Sequence, residues 1–243
     1  METRTVATAW WPDYKRVKIT LDFSLAAVLL FFAWPVIVLS IIAVRLSSPG
    51  SPIYSQRRLG FRGRPITIYK IRTMYQDCER KTGAVWSFPG DPRITWVGQF
   101  LRWSHLDELP QLFNVLCGDM SLVGPRPERP EIITQLEKLF PQYRRRLEIR
   151  PGLTGLAQVL QASDTDLDSV RRKLELDLYY IEQIGPSLDF RIFLATPLHI
   201  VRYPSQRIAQ LFHFSFNGLG RPLGLTAPQS ETEGVSVEAS CAS

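Results

Sequence analysis

Cysteine and histidine are scarce in this 243-residue chain, with three of each. Cys78, Cys117 and Cys241 are far apart, odd in number and outside any Cys-x-x-Cys or Cys/His spacing, which reads as a reducing compartment and no structural zinc. The chain has no G-x-G-x-x-G, no Walker loop and no Ser/His/Asp signature, so the familiar nucleotide loops and a serine-type triad have no support. It also has no internal repeat.

What the chain does have is positive charge and one long apolar run. A formal net charge of +6 and a pI near 9.4 favour an anionic partner: lipid headgroups, phosphorylated substrates or nucleic acid. The run Phe23 to Val44 carries no charge over roughly 22 residues, about 33 Å at 1.5 Å per residue, enough for a bilayer. It favours the first two partners over nucleic acid. It is long for the apolar region of a signal peptide and lacks a small-residue cleavage site after it, so it reads as an uncleaved anchor. Lys15, Arg16 and Lys18 precede it, and Arg45, Arg57, Arg58, Arg62 and Arg64 follow, so both flanks have the basic character of a cytoplasmic side. Pro35 removes a helical hydrogen bond at mid-segment. A kinked helix that enters and leaves by one face fits both observations, and a single-pass anchor fits the length alone.

Downstream, Ser51 to Arg58 and Arg64 to Arg72 are β-rich runs around Leu59–Gly63, which predicts a hairpin with Ile66, Ile68 and Lys70 on one side. Residues 73–92 read as a loop. Leu106, Leu109, Leu112, Phe113 and Leu116 follow helical spacing over 104–116. Residues 131–148 predict an amphipathic helix interrupted near Pro141, and 166–183 a second. From Pro222 onward large apolar groups are few, which predicts disorder.

The chemistry concentrates between Arg102 and Glu128, RWSHLDELPQLFNVLCGDMSLVGPRPE. Asp107 and Glu108 fall at a predicted helix start, where the positive end of the dipole keeps a carboxylate ionised and suited to a metal ion or to nucleophilic attack. Neighbouring helical residues point apart, so one carboxylate can attack while the other holds a metal. Magnesium is the natural ion for hard oxygen ligands combined with substrate phosphates. An Asp-Glu pair at a helix start is more often a cap with a solvated charge, so the dyad does not carry the case alone. Arg102, Arg126 in Gly-Pro-Arg-Pro, and Arg150 before Pro151-Gly152 add three guanidinium forks suited to phosphate oxygens. His105, beside the dyad, has no partner spacing and reads as a helix-surface residue.

An ordered set of segments, SPIYSQRRLGFRGRPITIYKIRTM (51–74), DPRITWVGQFLR (91–102), LDELPQLFNVLCGDMSLVGPRP (106–127), RPGLTGLAQV (150–159) and LELDLYYIE (174–182), resembles the bacterial sugar transferase family, the monotopic polyprenol-phosphate phosphoglycosyl transferases. The likeness covers about residues 15 to 204 and is that of the minimal catalytic form. It implies transfer of a sugar-1-phosphate from a UDP-sugar to a polyprenol phosphate, undecaprenyl phosphate in bacteria, with release of UMP. Such a reaction initiates exopolysaccharide, O-antigen or glycoconjugate assembly. By the same likeness Asp107 is the nucleophile that forms an aspartyl phosphosugar. Glu108 is associated with magnesium, Arg102, Arg126 and Arg150 grip phosphates, and Asp177 lies near the metal. The resemblance further implies a re-entrant membrane helix, the bacterial inner membrane and an active site on its cytoplasmic face. Four positions depart from the pattern: Trp103 stands where arginine is common, His105 where serine is frequent, Leu156 where tryptophan is often found, and Trp34 precedes Pro35 where serine is familiar in some members.

The expected fold class is therefore α+β, mainly helical and membrane-associated, with a small β-hairpin and an N-terminal re-entrant or single-pass helix. The expected division is a basic segment 1–20, a membrane helix 21–46 with a break near Pro35, a catalytic domain 47–204, an amphipathic membrane-surface segment 205–221 and a disordered tail 222–243. No nucleic-acid partner is expected, and the oligomeric state stays open. Two rival functions stand beside this one. A non-catalytic adaptor binding anionic lipid and a protein partner leaves the dyad and its arginines unexplained, and a glycosyltransferase that moves only the sugar would release UDP.

Overall fold

The computed structural model describes residues 11–76, 78, 90–161 and 166–214. The tail expected to be disordered lies outside the described residues, as does most of the loop 73–92. The fold is α+β and mainly helical. Helix α1 (Trp11–Ser47) is followed by a hairpin of β1 (Ile53–Leu59) and β2 (Pro65–Ile71), then α2 (Trp96–Trp103) and α3 (Gln111–Leu116). Strand β3 (Ser121–Val123), α4 (Pro130–Leu139), strand β4 (Gly152–Thr154), α5 (Leu156–Leu160), α6 (Leu167–Gln183), α7 (Pro186–Ile200) and α8 (Ser205–Leu211) complete the order.

The antiparallel hairpin pairs Ile53 with Ile71 and Leu59 with Pro65. Its period of two turns Ile66 and Ile68 into the core and leaves Lys70 half-buried on the same side, as the alternation predicts. Strands β3 and β4 form a short parallel pair that no run of β-formers announced. What permits it is glycine. A Cβ on Gly152 would lie 2.1 Å from the Gly124 nitrogen, so the two chains pass at a distance only glycine allows. The helix expected over 104–116 is two pieces. His105 adopts a left-handed backbone (φ 56°), a 3-10 turn spans Leu106–Glu108, and α3 starts only after Pro110. Helical spacing of leucines extends across the break although they serve two clusters: Leu106 packs with Val44, Ile71, Val97 and Leu101, Leu109, Leu112 and Leu116 join the main core, and Phe113 is left exposed. Helix α6 begins as expected at Asp166, whose carboxylate accepts a hydrogen bond from the Ser169 amide at 2.7 Å.

The main core gathers Leu112, Val115, Leu122, Tyr143, Leu174, Leu178 and Ile192, each burial contributing about 1.5–3 kcal/mol. Helix α1 joins this core through Ala26 and, near its other end, a second cluster in which Val44 meets Ile71, Val97 and Leu101. α1 begins at Trp11, so the basic residues expected before it form its early turns, and it continues through Pro35. Among the described residues it is the one helix long and apolar enough to cross a membrane. Phe31, Phe32, Leu39 and Leu46 point outward along it, an apolar surface too large for a protein bathed only in water.

Candidate active site

The 3-10 turn delivers the dyad. Its backbone closes when the Glu108 amide donates to the His105 carbonyl at 3.2 Å, and the two carboxylates then diverge into different surroundings. Glu108 is surrounded by cations: Lys70 Nζ lies 2.7 Å from its Oε1, Arg126 Nη1 donates to Oε2 at 3.1 Å, and Arg126 Nη2 donates to Oε1. Burial by itself would raise the Glu108 carboxyl, but Arg126 and Lys70 outweigh it and hold the group well below the usual carboxylate range. Asp107, 8% exposed, has no hydrogen bond to its carboxylate among the described residues. Burial first, and the neighbouring charge of Glu108 second, push it up to about 6 against the pull of Lys70, Arg102 and Arg126.

Of the three arginines expected around the dyad, two are there. Arg126 forms the bidentate pair with Glu108. Arg102, in the last turn of α2, donates from Nε to Thr73 Oγ1 at 2.7 Å and lies close enough to Asp107 for their charges to interact. The Arg150 side chain makes no ion pair with either carboxylate; the residue stands just before β4, its carbonyl beside Gly124 at the root of the Arg126 loop.

Asp177 does not join the dyad. Its Oδ2 accepts from Arg146 Nε at 2.7 Å in an ion pair whose side chains are 2% and 3% exposed. Arg146 in turn donates to the Tyr143 hydroxyl at 2.9 Å and to the Arg126 carbonyl at 3.0 Å. Two residues on, Glu128 is held by Lys173 Nζ at 2.7 Å and Arg58 Nη1 at 3.4 Å, and Arg58 also donates to the Pro127 carbonyl at 3.3 Å. The backbone from Arg126 to Glu128 is thereby tied on its inner side, which leaves the Arg126 guanidinium to face Glu108. Asp177 therefore acts through Arg146 on the loop, and no group of three His, Cys, Asp or Glu side chains comes together among the described residues.

Lys70, Arg58, Glu128, Arg146 and Lys173 are functional neighbours that sequence reasoning did not single out. Lys70 had a signal, since its strand parity matches the buried Ile66 and Ile68. The others had none, because their pairs join residues 31, 45 and 70 positions apart. His105 is not on a helix surface: it occupies the left-handed turn before the dyad, exposed, its ring 6.1 Å from that of His199 at the end of α7.

The family model of bacterial sugar transferases matches residues 13–203, from the first turns of α1 to just past α7. The chain belongs to the bacterial sugar transferase family. Among similar relatives, the UDP-N-acetylgalactosamine-undecaprenyl-phosphate N-acetylgalactosaminephosphotransferase of Aeromonas hydrophila is 40% identical over 76% of this chain and 44% of its own length. The UDP-glucose:undecaprenyl-phosphate glucose-1-phosphate transferase of Xanthomonas campestris pv. campestris is 39% identical over 74% of this chain and 38% of its own length. The exopolysaccharide production protein PSS of Rhizobium leguminosarum bv. phaseoli is 37% identical over 72% of this chain and 89% of its own length. This family member thus spans less than half the length of the first two relatives, and most of the third. The matched segment takes in the hairpin, the dyad turn, the Arg126 loop and the Arg146–Asp177 pair.

Proposed function

We propose that this protein transfers a sugar-1-phosphate from a UDP-sugar to a membrane polyprenol phosphate, undecaprenyl phosphate in a bacterium, and releases UMP. The observation that carries the reading is the contrast within the dyad: Glu108 is paired with two cations, while the adjacent Asp107 is buried, without a hydrogen-bond partner among the described residues, and raised to about 6. An ionised carboxylate without stabilising hydrogen bonds is the better nucleophile. In the first step an Asp107 oxygen attacks the β-phosphorus, the bond from that phosphorus to the bridging oxygen breaks, and UMP departs with the electron pair. In the second, an oxygen of the lipid phosphate attacks the same phosphorus and the Asp107–phosphorus bond breaks, giving the lipid diphosphosugar and a free carboxylate. Arg126, Lys70 and Arg102 bring positive charge to where the diphosphate would lie, and Glu108 keeps the first two oriented until substrate arrives. Such a product starts the assembly of a polysaccharide or glycoconjugate.

Magnesium needs only one or two carboxylates, with phosphate and water oxygens completing its shell, so Asp107 and Glu108 are the residues that would hold it, Glu108 giving up a contact from Lys70 or Arg126 to do so, and Asp177 is not required. Bound there, the ion would neutralise charge on the departing nucleotide. Support for membrane residence comes from α1. Its Lys18 donates to Asp189 at 2.6 Å in the body, and Val44, 26 residues later and about 39 Å along a straight helix, packs on Ile71 of the same body. A bilayer crossed between those points would divide one folded unit, so we read α1 as entering and leaving by one face, the cytoplasmic face of the inner membrane given the basic flanks. The test is nucleotide release by detergent-solubilised protein with magnesium, polyprenol phosphate and a panel of UDP-sugars. UMP dependent on one donor supports the reading; UDP means transfer of the sugar alone, and neither product across the panel favours an adaptor.

A further inference from the structure

The dyad turn runs into α3 without leaving helical backbone. Leu109 (φ −54°, ψ −35°) and Pro110 (φ −61°, ψ −18°) join them, so Gln111 follows Asp107 by about one turn and is buried like it. Gln111 is 2% exposed, and its Nε2 is buried with no hydrogen-bond partner among the described residues. Other amides are treated differently. Asn114, three residues on, donates to the Thr67 carbonyl at 2.7 Å and accepts from the Tyr69 amide at 3.3 Å. Gln158 and Gln161 donate to the carbonyls of Leu153 and Ser169 at 3.1 and 2.6 Å. An amide taken out of water and left unpaired costs its full desolvation, and α3 has no freedom to shift and relieve it. Leu112 and Val115 are set in the main core, and Asn114 pins the helix to β2, the strand that brings Lys70 to Glu108.

We propose that Gln111 is a further catalytic residue, whose Nε2 donates to a non-bridging oxygen of the phosphoryl group as that group lands on Asp107. The inference rests on the proposed covalent reading and adds a neutral donor to it. A buried N–H without a partner calls for an acceptor, and what arrives at Asp107 is a phosphorus centre rich in anionic acceptor oxygens. The bond from the Asp107 oxygen to phosphorus forms while the bond to the departing UMP oxygen breaks, and a donor already fixed in place holds the charge of the oxygens that stay behind. The cations nearby have other duties: Lys70 and Arg126 face Glu108, and Arg102 donates to Thr73. Because the Gln111 amide makes no bond to Asp107 at rest, it leaves the nucleophile's lone pairs free for attack.

The test is Gln111→Met, which keeps the length of the side chain and removes the donor. With magnesium and UDP-sugar in detergent and no lipid acceptor, the first turnover of UMP should slow about 100-fold. The half-saturating UDP-sugar concentration should not change, and the thermal unfolding midpoint should be no lower than the parent's. A rate within about threefold of the parent overturns the inference. So does a slow variant that also unfolds at a lower temperature, since Gln111 is then a packing residue. Parent protein that releases no UMP before lipid is added and carries no adduct on Asp107 overturns the covalent reading, and the inference with it. Should Gln111→Met not fold, the full chain grown with glutamine enriched in heavy nitrogen carries the test, the Gln111 amide being assigned by its absence from Gln111→Asn. One of its proton resonances should move downfield when the adduct forms and return when polyprenol phosphate discharges it. A resonance that the adduct leaves in place overturns the inference.

Discussion

Asp107 and Asp177 are both buried carboxylates on either side of Arg126, the first within reach of its guanidinium charge and the second bound to Arg146, which donates to the Arg126 carbonyl, and the protein treats them in opposite ways. Asp177 is closed off behind the Arg126 loop, spent entirely on Arg146, and its neighbours Glu128, Lys173 and Arg58 are likewise paired. Asp107, one residue from a carboxylate that holds two cations, accepts no hydrogen bond and forms no ion pair among the described residues. Burial with compensation yields scaffold and burial without it yields reactivity. The same side-chain type has two fates because a left-handed residue and a 3-10 turn present Asp107 at the surface of the cluster, whereas a long regular helix carries Asp177 into it.

The comparison breaks most visibly under one substitution made twice. Asp107→Asn should cut UMP release roughly 10⁴-fold, yet it should stabilise the fold above neutral pH. The sign follows from the titration: the folded carboxyl takes up its proton near 6 against an ordinary 3.8, so the folded state holds more protons than the unfolded across that window and stability falls as pH rises through it. Removing the charge should recover about 2–3 kcal/mol at pH 8. Asp177→Asn should do the reverse, lowering stability by about 3–5 kcal/mol because Arg146 is left buried without a counter-charge, with much of the loss recovered in Arg146→Met/Asp177→Leu. Thermal unfolding in detergent reads both, and stability changes of the same sign would undo the contrast.

Smaller effects sharpen it. Arg126→Lys keeps the charge but loses the fork onto Glu108, and kcat/KM for the UDP-sugar should drop roughly 30-fold, about 2 kcal/mol. The rate of the first step should fall about tenfold per pH unit below about 6 as Asp107 protonates, and Glu108→Gln should move that limb to lower pH by removing the adjacent negative charge. A limb that stays in place would mean that burial alone sets the Asp107 titration. The exposed pair of Arg144 with Glu137, at 3.1 Å, should matter least: Arg144→Ala should change stability by no more than about 0.5 kcal/mol.

Features written in local pattern were legible in the sequence. Alternation gave the hairpin and the face of Lys70, proline gave the interruption after α4, and the dyad with Arg126 was recognisable from its neighbours in the chain. What local pattern could not carry was tertiary pairing. The β3–β4 pair consists of two three-residue strands made possible by glycines far apart in sequence, so strand propensity had nothing to register. Asp177 was expected near the metal by family likeness alone, and its pairing with Arg146, 31 positions away on a different element, left no local mark. The helix over 104–116 misled for a related reason, since the leucine spacing continued through a turn in which only backbone geometry had changed.

The most direct test of the central claim is to incubate the protein with its UDP-sugar and no lipid acceptor, counting UMP and weighing the chain. A nucleophilic Asp107 should give one UMP per active molecule and a sugar-phosphate adduct on the peptide containing it, discharged when polyprenol phosphate is added. UMP that forms only when lipid is present, with no adduct at any time, would mean direct transfer and would contradict a nucleophilic Asp107.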